Sequence, residues 1–249
     1  MLLVGTLLIT GCRSGGGGDA GDADTRSATS GPATQAAGAL STTPGDAPVN
    51  RSYVARAKGS RLELFTTPDG PPATPARLEN PIGSGAPRVL LVTGDRPGWF
   101  EVLLPVRPNG SRAWVREADV TVEADDWRVE VHLADHELTV YRGPEIWMAE
   151  PIAIGREPTP TPGGTFYLVE LLAPPVPDGD YGPYAFGLSG FSDDLTSFNG
   201  GDGRLGLHGT NDPRSLGLDV SRGCIRVSNE AITQLARALP LGTPVVITP

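Results

Sequence analysis

Glycine and proline break this chain more than any other feature of its composition, with Gly 33 and Pro 25 among 249 residues. Both punctuate regular structure, so the sequence is restricted to many turns, short elements and some unfolded linker. Between the breaks lie short apolar or alternating segments of the kind that form strands. In the first half these are 52–56, 61–65, 88–92, 99–103 and 113–115. In the second they are 127–133, 137–141, 152–155, 165–169 and 245–247. One helix is expected near the end, with Asn229 as its cap and Ile232, Leu235, Ala236 and Leu239 on one apolar face before Pro240. The expected class is therefore mainly β: a small barrel over residues 51–123, then a second β-rich unit over 126–249 with one or two short helices. Residues 157–203 carry many Gly and Pro and acids without a base, which reads as a long loop region with room for two short strands.

Hydrophobic residues make up 39% of the chain, enough for a core, and the formal net charge is −9. That sign argues against a nucleic-acid partner, which needs a basic face. No apolar run reaches the ~18 residues of a membrane-spanning helix. Residues 13–50 hold eight Gly, eight Ala and no aromatic residue. Such a stretch buries too little surface to offset its ordering entropy, and it reads as a flexible tether.

There are 2 Cys. Cys12 closes an apolar run that begins at Leu2, about as long as a signal-peptide core. Thr10 and Gly11 before it resemble a bacterial lipobox, although no Lys or Arg precedes Cys12. The resemblance implies a signal peptide over 1–11, lipidation at Cys12, a lipid-anchored linker over 12–50, and an extracytoplasmic protein held to the bacterial membrane. Cys224 would then have no disulfide partner, and a lone free thiol outside the cytoplasm suggests chemistry rather than packing. In the first unit, Gly98-Trp99 before one strand and Trp114-Val115 in another resemble a bacterial SH3-like domain, which implies a wall-binding or positioning module; a stable spacer is the plainer reading.

The chemistry concentrates in residues 207–227. Thiolate is the nucleophile, and a free Cys is mostly protonated at neutral pH, so Cys224 needs a base. His208 is the nearest His upstream, and a loop return of that length can bring the two together. Gly209 and Gly223 flank the reactive pair and allow close backbone approach. Amides at Gly223 and Cys224 are candidates for an oxyanion hole. Arg222 and Arg226 bracket the thiol, with the charge that favours thiolate.

The stretch Leu207 to Asn229, with His208-Gly209-Thr210 ahead of Ser221-Arg222-Gly223-Cys224-Ile225-Arg226, resembles the signature of the YkuD L,D-transpeptidases. Residues 160–166 and 181–188 resemble further family segments, so the likeness covers the whole of 126–249. It implies a β-sandwich-like fold with Cys224 in a narrow cleft as nucleophile, His208 as base, and the Gly209 carbonyl orienting the imidazole. Ser221, Gly223 and Arg226 fall on pocket-shaping positions. Arg222 stands where many family members carry His, so any role of that second imidazole is lost. The resemblance also implies acylation by carbapenems, no cofactor, and peptidoglycan stem peptides as donor and acceptor. The expected reaction joins the third residues of two stems (a 3→3 crosslink) with release of D-alanine. Hydrolysis of the same bond by an L,D-carboxypeptidase and a non-catalytic wall-binding lipoprotein are the alternatives. Tyr184, Thr210 and Asn211 are further candidates for substrate contact. Arg204 and Arg214 are candidates for stem carboxylates, although a solvated Arg is the plainer reading. His132 and His136 read as structural, and no His/Cys spacing suggests a metal site.

Overall fold

Seventeen strands and one α-helix arise in the computed structural model, which describes residues 51–197 and 201–249. The readings on residues 1–50 (signal peptide, Cys12 and tether) lie outside the described residues. The first half supplies β1 (Ser52–Ala57), β2 (Arg61–Phe65), β3 (Pro72–Glu79), β4 (Val89–Arg96), β5 (Trp99–Leu103), β6 (Arg112–Arg116) and β7 (Val120–Asp125). They form a 7-stranded sheet in the order β3-β2-β6-β5-β4-β1-β7. Strand β3 was not expected, because Pro72 and Pro75 break its pattern. It survives as the outermost strand, where a missing N–H costs no ladder bond.

The second half supplies β8 (Trp127–His132), β9 (Glu137–Arg142), β10 (Glu145–Pro151), the short β11 (Ile154–Gly155), β12 (Gly164–Leu172), β13 (Ala185–Phe191), β14 (Arg204–His208), β15 (Asp219–Ser221), β16 (Ile225–Arg226), α1 (Asn229–Ala238) and β17 (Pro244–Thr248). Eight of these make one sheet, β10-β9-β8-β17-β12-β13-β14-β16, and β11 pairs with β15. The described residues are thus mainly β with one α-helix. Strand β10 was also unexpected: it is an outermost strand, mostly exposed, with no alternation to read.

The helix cap differs from expectation. Ser228, not Asn229, holds the extended N-cap conformation, and its hydroxyl accepts the Ala231 N–H at 3.0 Å. Asn229 is the first helical residue and its side chain is used elsewhere, as described below.

Strand β12 joins the two halves. Side chains alternate across a strand; Phe166 and Leu168 enter a core with Val129, Leu207, Ile232 and Val245, while Tyr167 and Val169 enter the core of the first sheet with Leu64, Leu90, Val102 and Val115. The Tyr167 hydroxyl donates to Leu103 O at 3.3 Å. Thr243 Oγ1 donates to Asp125 Oδ2 at 2.7 Å across the same junction.

Candidate active site

The site begins with the alternation of β14. Leu205 and Leu207 are buried in the core, so Arg204, Gly206 and His208 occupy the opposite face. Strand β16 pairs with β14 in parallel, Leu207 opposite Ile225 and His208 opposite Arg226, which brings Cys224 alongside Gly206. Gly206 has no side chain, and two reactive groups use the space it leaves. Cys224 Sγ lies 3.6 Å, and His208 Cδ2 3.7 Å, from the point a Cβ on Gly206 would occupy.

His208 is 3% exposed, with Nδ1 2.6 Å from Gly209 O. A carbonyl oxygen only accepts, so Nδ1 carries the proton and Nε2 keeps its lone pair. Burial pushes the imidazole down from 6.5 to about 4, against the favourable Gly209 contact. The base is therefore neutral near pH 7. Burial also pushes the Cys224 thiol up, outweighing the Gly206 amide and the Arg226 charge that favour thiolate. The Arg226 charge has the expected sign, and desolvation outweighs it, so the thiol depends on a base, as expected.

The loop before the thiol is pinned from both sides. Ser221 Oγ accepts from Gly223 N at 3.1 Å and donates to Cys224 O at 2.6 Å. Thr161 Oγ1 donates to Gly223 O at 3.0 Å and accepts from Gly155 N. Gly223 takes φ +109°, a region open to glycine. Its amide is thus engaged with Ser221, and of the two expected oxyanion donors the one not so engaged is the Cys224 amide. Ser221 and Gly223 shape the turn that presents the sulfur.

Two cavities meet at the pair. One, of about 330 Å³, is lined by Arg156, Asp180, Tyr181, Arg204, Arg222 and Arg226 besides Cys224 and His208. The other, of about 590 Å³, reaches the same two residues past Leu172, Pro174, Pro175 and Phe186. Arg226 Nε is buried with no hydrogen-bond partner among the described residues.

The three candidate substrate contacts are placed differently. Tyr184 packs against the core, and its carbonyl accepts the Gly209 amide. Thr210 is buried, its amide donating to Asn229 Oδ1 at 2.9 Å and its hydroxyl accepting from Asp212 N. Asn211 donates to Asp180 Oδ1 at 2.8 Å, which holds the Asp180 loop rather than a ligand. The aromatic at the cleft is Tyr181, which sequence reasoning missed; its ring lies 4.8 Å from that of His208. Its position, twenty-seven residues before His208 in a Gly/Pro-rich loop, carried no periodic signal. Arg204 lines the cleft, whereas Arg214 is 92% exposed. His136 pairs with Asp219 at 2.7 Å, and His132 contacts Thr248 and Glu130. Among the described residues no group of three or more His, Cys, Asp or Glu could hold a metal ion.

Residues 126–247 match the family model of YkuD, the L,D-transpeptidase catalytic domain. In this half the chain is similar to YkuD domains. The YkuD protein of Bacillus licheniformis, named as an L,D-transpeptidase, is 38% identical over 123 residues, covering 49% of this chain and 66% of that one. The YkuD protein of Bacillus subtilis is 34% identical over 121 residues, covering 49% and 65%. The matched stretch thus spans just under two thirds of those relatives. Among solved structures, the L,D-transpeptidase LdtMt1 in complex with imipenem overlaps at TM-score 0.42 and 18% identity, covering 64% of this chain and 90% of that one. Bd1075 of Bdellovibrio bacteriovorus overlaps at TM-score 0.38 and 28% identity, covering 50% and 48%.

Proposed function

We propose that the chain is a peptidoglycan L,D-transpeptidase that forms 3→3 crosslinks through a thioester on Cys224. The observation that carries the reading is the convergence of Cys224 Sγ and the His208 imidazole over side-chain-free Gly206, at the meeting of two cavities. One cavity suits a donor and the other an acceptor. Four arginines against Asp180 on the first side suit the carboxylates of a stem peptide.

In the first step Nε2 of His208 takes the thiol proton as Sγ bonds to the carbonyl carbon of the third stem residue. The Cys224 amide donates to the developing oxyanion. The C–N bond to D-alanine then breaks, and the proton on Nε2 passes to the departing amine. In the second step the side-chain amine of a neighbouring stem attacks the thioester. His208 takes its proton, the new C–N bond forms, the C–S bond breaks, and the proton returns to sulfur. Lipidation at Cys12, an SH3-like first unit and an extracytoplasmic location at the membrane belong to the same proposal.

Mass spectrometry of the products from a defined disaccharide-tetrapeptide tests it. Crosslinked dimers with free D-alanine are expected; shortened monomers alone would make the protein an L,D-carboxypeptidase. Imipenem should leave an acyl adduct on the wild type by intact mass and none on Cys224→Ala, and an adduct that survives this substitution would refute the nucleophile.

A further inference from the structure

The loop between β5 and β6, in the first half of the chain, reaches the wall of the cleft in the second. Arg107 Nη2 donates to Ser192 O at 3.0 Å and to Leu195 O at 2.9 Å. Its guanidinium lies 4.5 Å from the Phe191 ring, and Arg204 lies 4.7 Å from the same ring. Two residues on, Asn109 supplies both partners of the Phe191 main chain, accepting its N–H at 2.9 Å and donating to its carbonyl at 2.8 Å. Strand β12 pairs with β13 only as far as Leu188, and beyond it Asn109 completes what another strand would have supplied.

The segment held in this way is the cleft itself. Ser192, Leu195, Gly203, Arg204 and Leu205 all line the cavity beside Cys224. Ser192 N donates to Gly203 O at 2.9 Å, and its hydroxyl accepts from Leu195 N, so the wall folds on itself around the clamped carbonyls. The Ser192 Cβ and the Leu205 side chain lie 3.9 and 3.5 Å from the point a Cβ on Gly223 would occupy, one residue from the nucleophile.

We infer that Arg107 and Asn109 are positioning residues: the first unit of the chain sets the substrate-binding wall of the second. The inference rests on the acyl-transfer reading above. Asn is specific here, since Asp cannot donate and an apolar residue can do neither. Arg107 answers two carbonyls at once and keeps a planar face on Phe191, which a lysine cannot copy in full. Neither residue touches Cys224 or His208, so the chemistry of the pair should stay intact while binding suffers.

The test uses the full chain and the variants Arg107→Ala, Arg107→Lys and Asn109→Ala. For a donor tetrapeptide, KM should rise about tenfold in the alanine variants with kcat within about twofold, and Arg107→Lys should recover part of the loss. Alkylation of Cys224 by iodoacetamide, which needs no wall, should proceed at the wild-type rate. Amide hydrogen exchange should quicken in 191–195 and 203–205 and nowhere else in the second half. Unchanged KM and unchanged exchange would overturn the inference. So would kcat, alkylation and thermal midpoint falling together in all three variants, which is the pattern of a merely structural contact. If the wild type turns over no peptide, the reading of function fails, while the exchange measurement still decides the clamp.

Discussion

At the scale of the residue, the burial that makes His208 a neutral base also makes it sensitive to acid. Native His208 takes a proton only near about 4, whereas the unfolded imidazole does so at 6.5. Between those values the unfolded chain binds more protons, so stability rises with pH through the window and is lost as pH falls from 6.5 towards 4. The full loss is roughly 3 kcal/mol. Urea unfolding of wild type and His208→Gln at pH 7 and pH 4.5 checks it: the wild type should lose more stability on acidification than the variant. The acid limb of the acylation rate should likewise fall near 4, not near 6.5. On the alkaline side the raised thiol predicts that alkylation of Cys224 in His208→Gln keeps climbing past the ordinary thiol range without levelling off, followed by intact mass against pH.

At the scale of the element, β14 and the start of α1 each divide their labour by position. A methyl on Gly206 would meet Phe186 O, Cys224 Sγ and His208 Cδ2 at 3.4, 3.6 and 3.7 Å, ordinary to slightly tight contacts. Gly206→Ala should therefore fold with stability within about 1 kcal/mol of wild type. It should still acylate at least about tenfold more slowly, because the methyl stands where sulfur and imidazole converge. Thermal melts and carbapenem acylation rates measure the two effects separately. At α1, Ser228→Ala removes a cap and should cost about 1 kcal/mol with little change in rate. Asn229→Ala removes the acceptor of the Thr210 amide, two residues past His208, and should slow acylation more than it lowers the melting temperature. The opposite ordering of the two variants would show that the turn after His208 holds without Asn229.

At the scale of the whole molecule, β12 serves two cores at once, and the described residues belong to one compact unit. The two halves should melt in a single calorimetric transition. Tyr167→Phe, which loses only the hydroxyl bonded to Leu103 O, should lower stability by about 1 kcal/mol. Tyr167→Ala should cost roughly 3–5 kcal/mol and shift that one transition downward rather than splitting it. Residues 126–249 expressed alone would expose Tyr167 and Val169, and should melt lower than the full chain.

Much of this was legible in the amino acids. Strands such as β2, β5 and β9 announce themselves because alternation and flanking turns are local properties. The spacing of His208 and Cys224 around flanking glycines announces a nucleophile and its base. Other features depended on distance through space. The edge strands β3 and β10 lack a buried face to pattern. The sign of the Arg226 effect on Cys224 was readable from its neighbours in sequence, but the larger opposing desolvation was not, because it is set by everything packed around the sulfur. Tyr181 reached the cleft, and Tyr184 the core, through the path of one irregular loop. Arg107 and Asn109 sit eighty and more residues from the carbonyls they hold, and no local pattern encodes such a partner. Residue chemistry and strand period are written along the chain; burial and long-range contact exist only once it has folded.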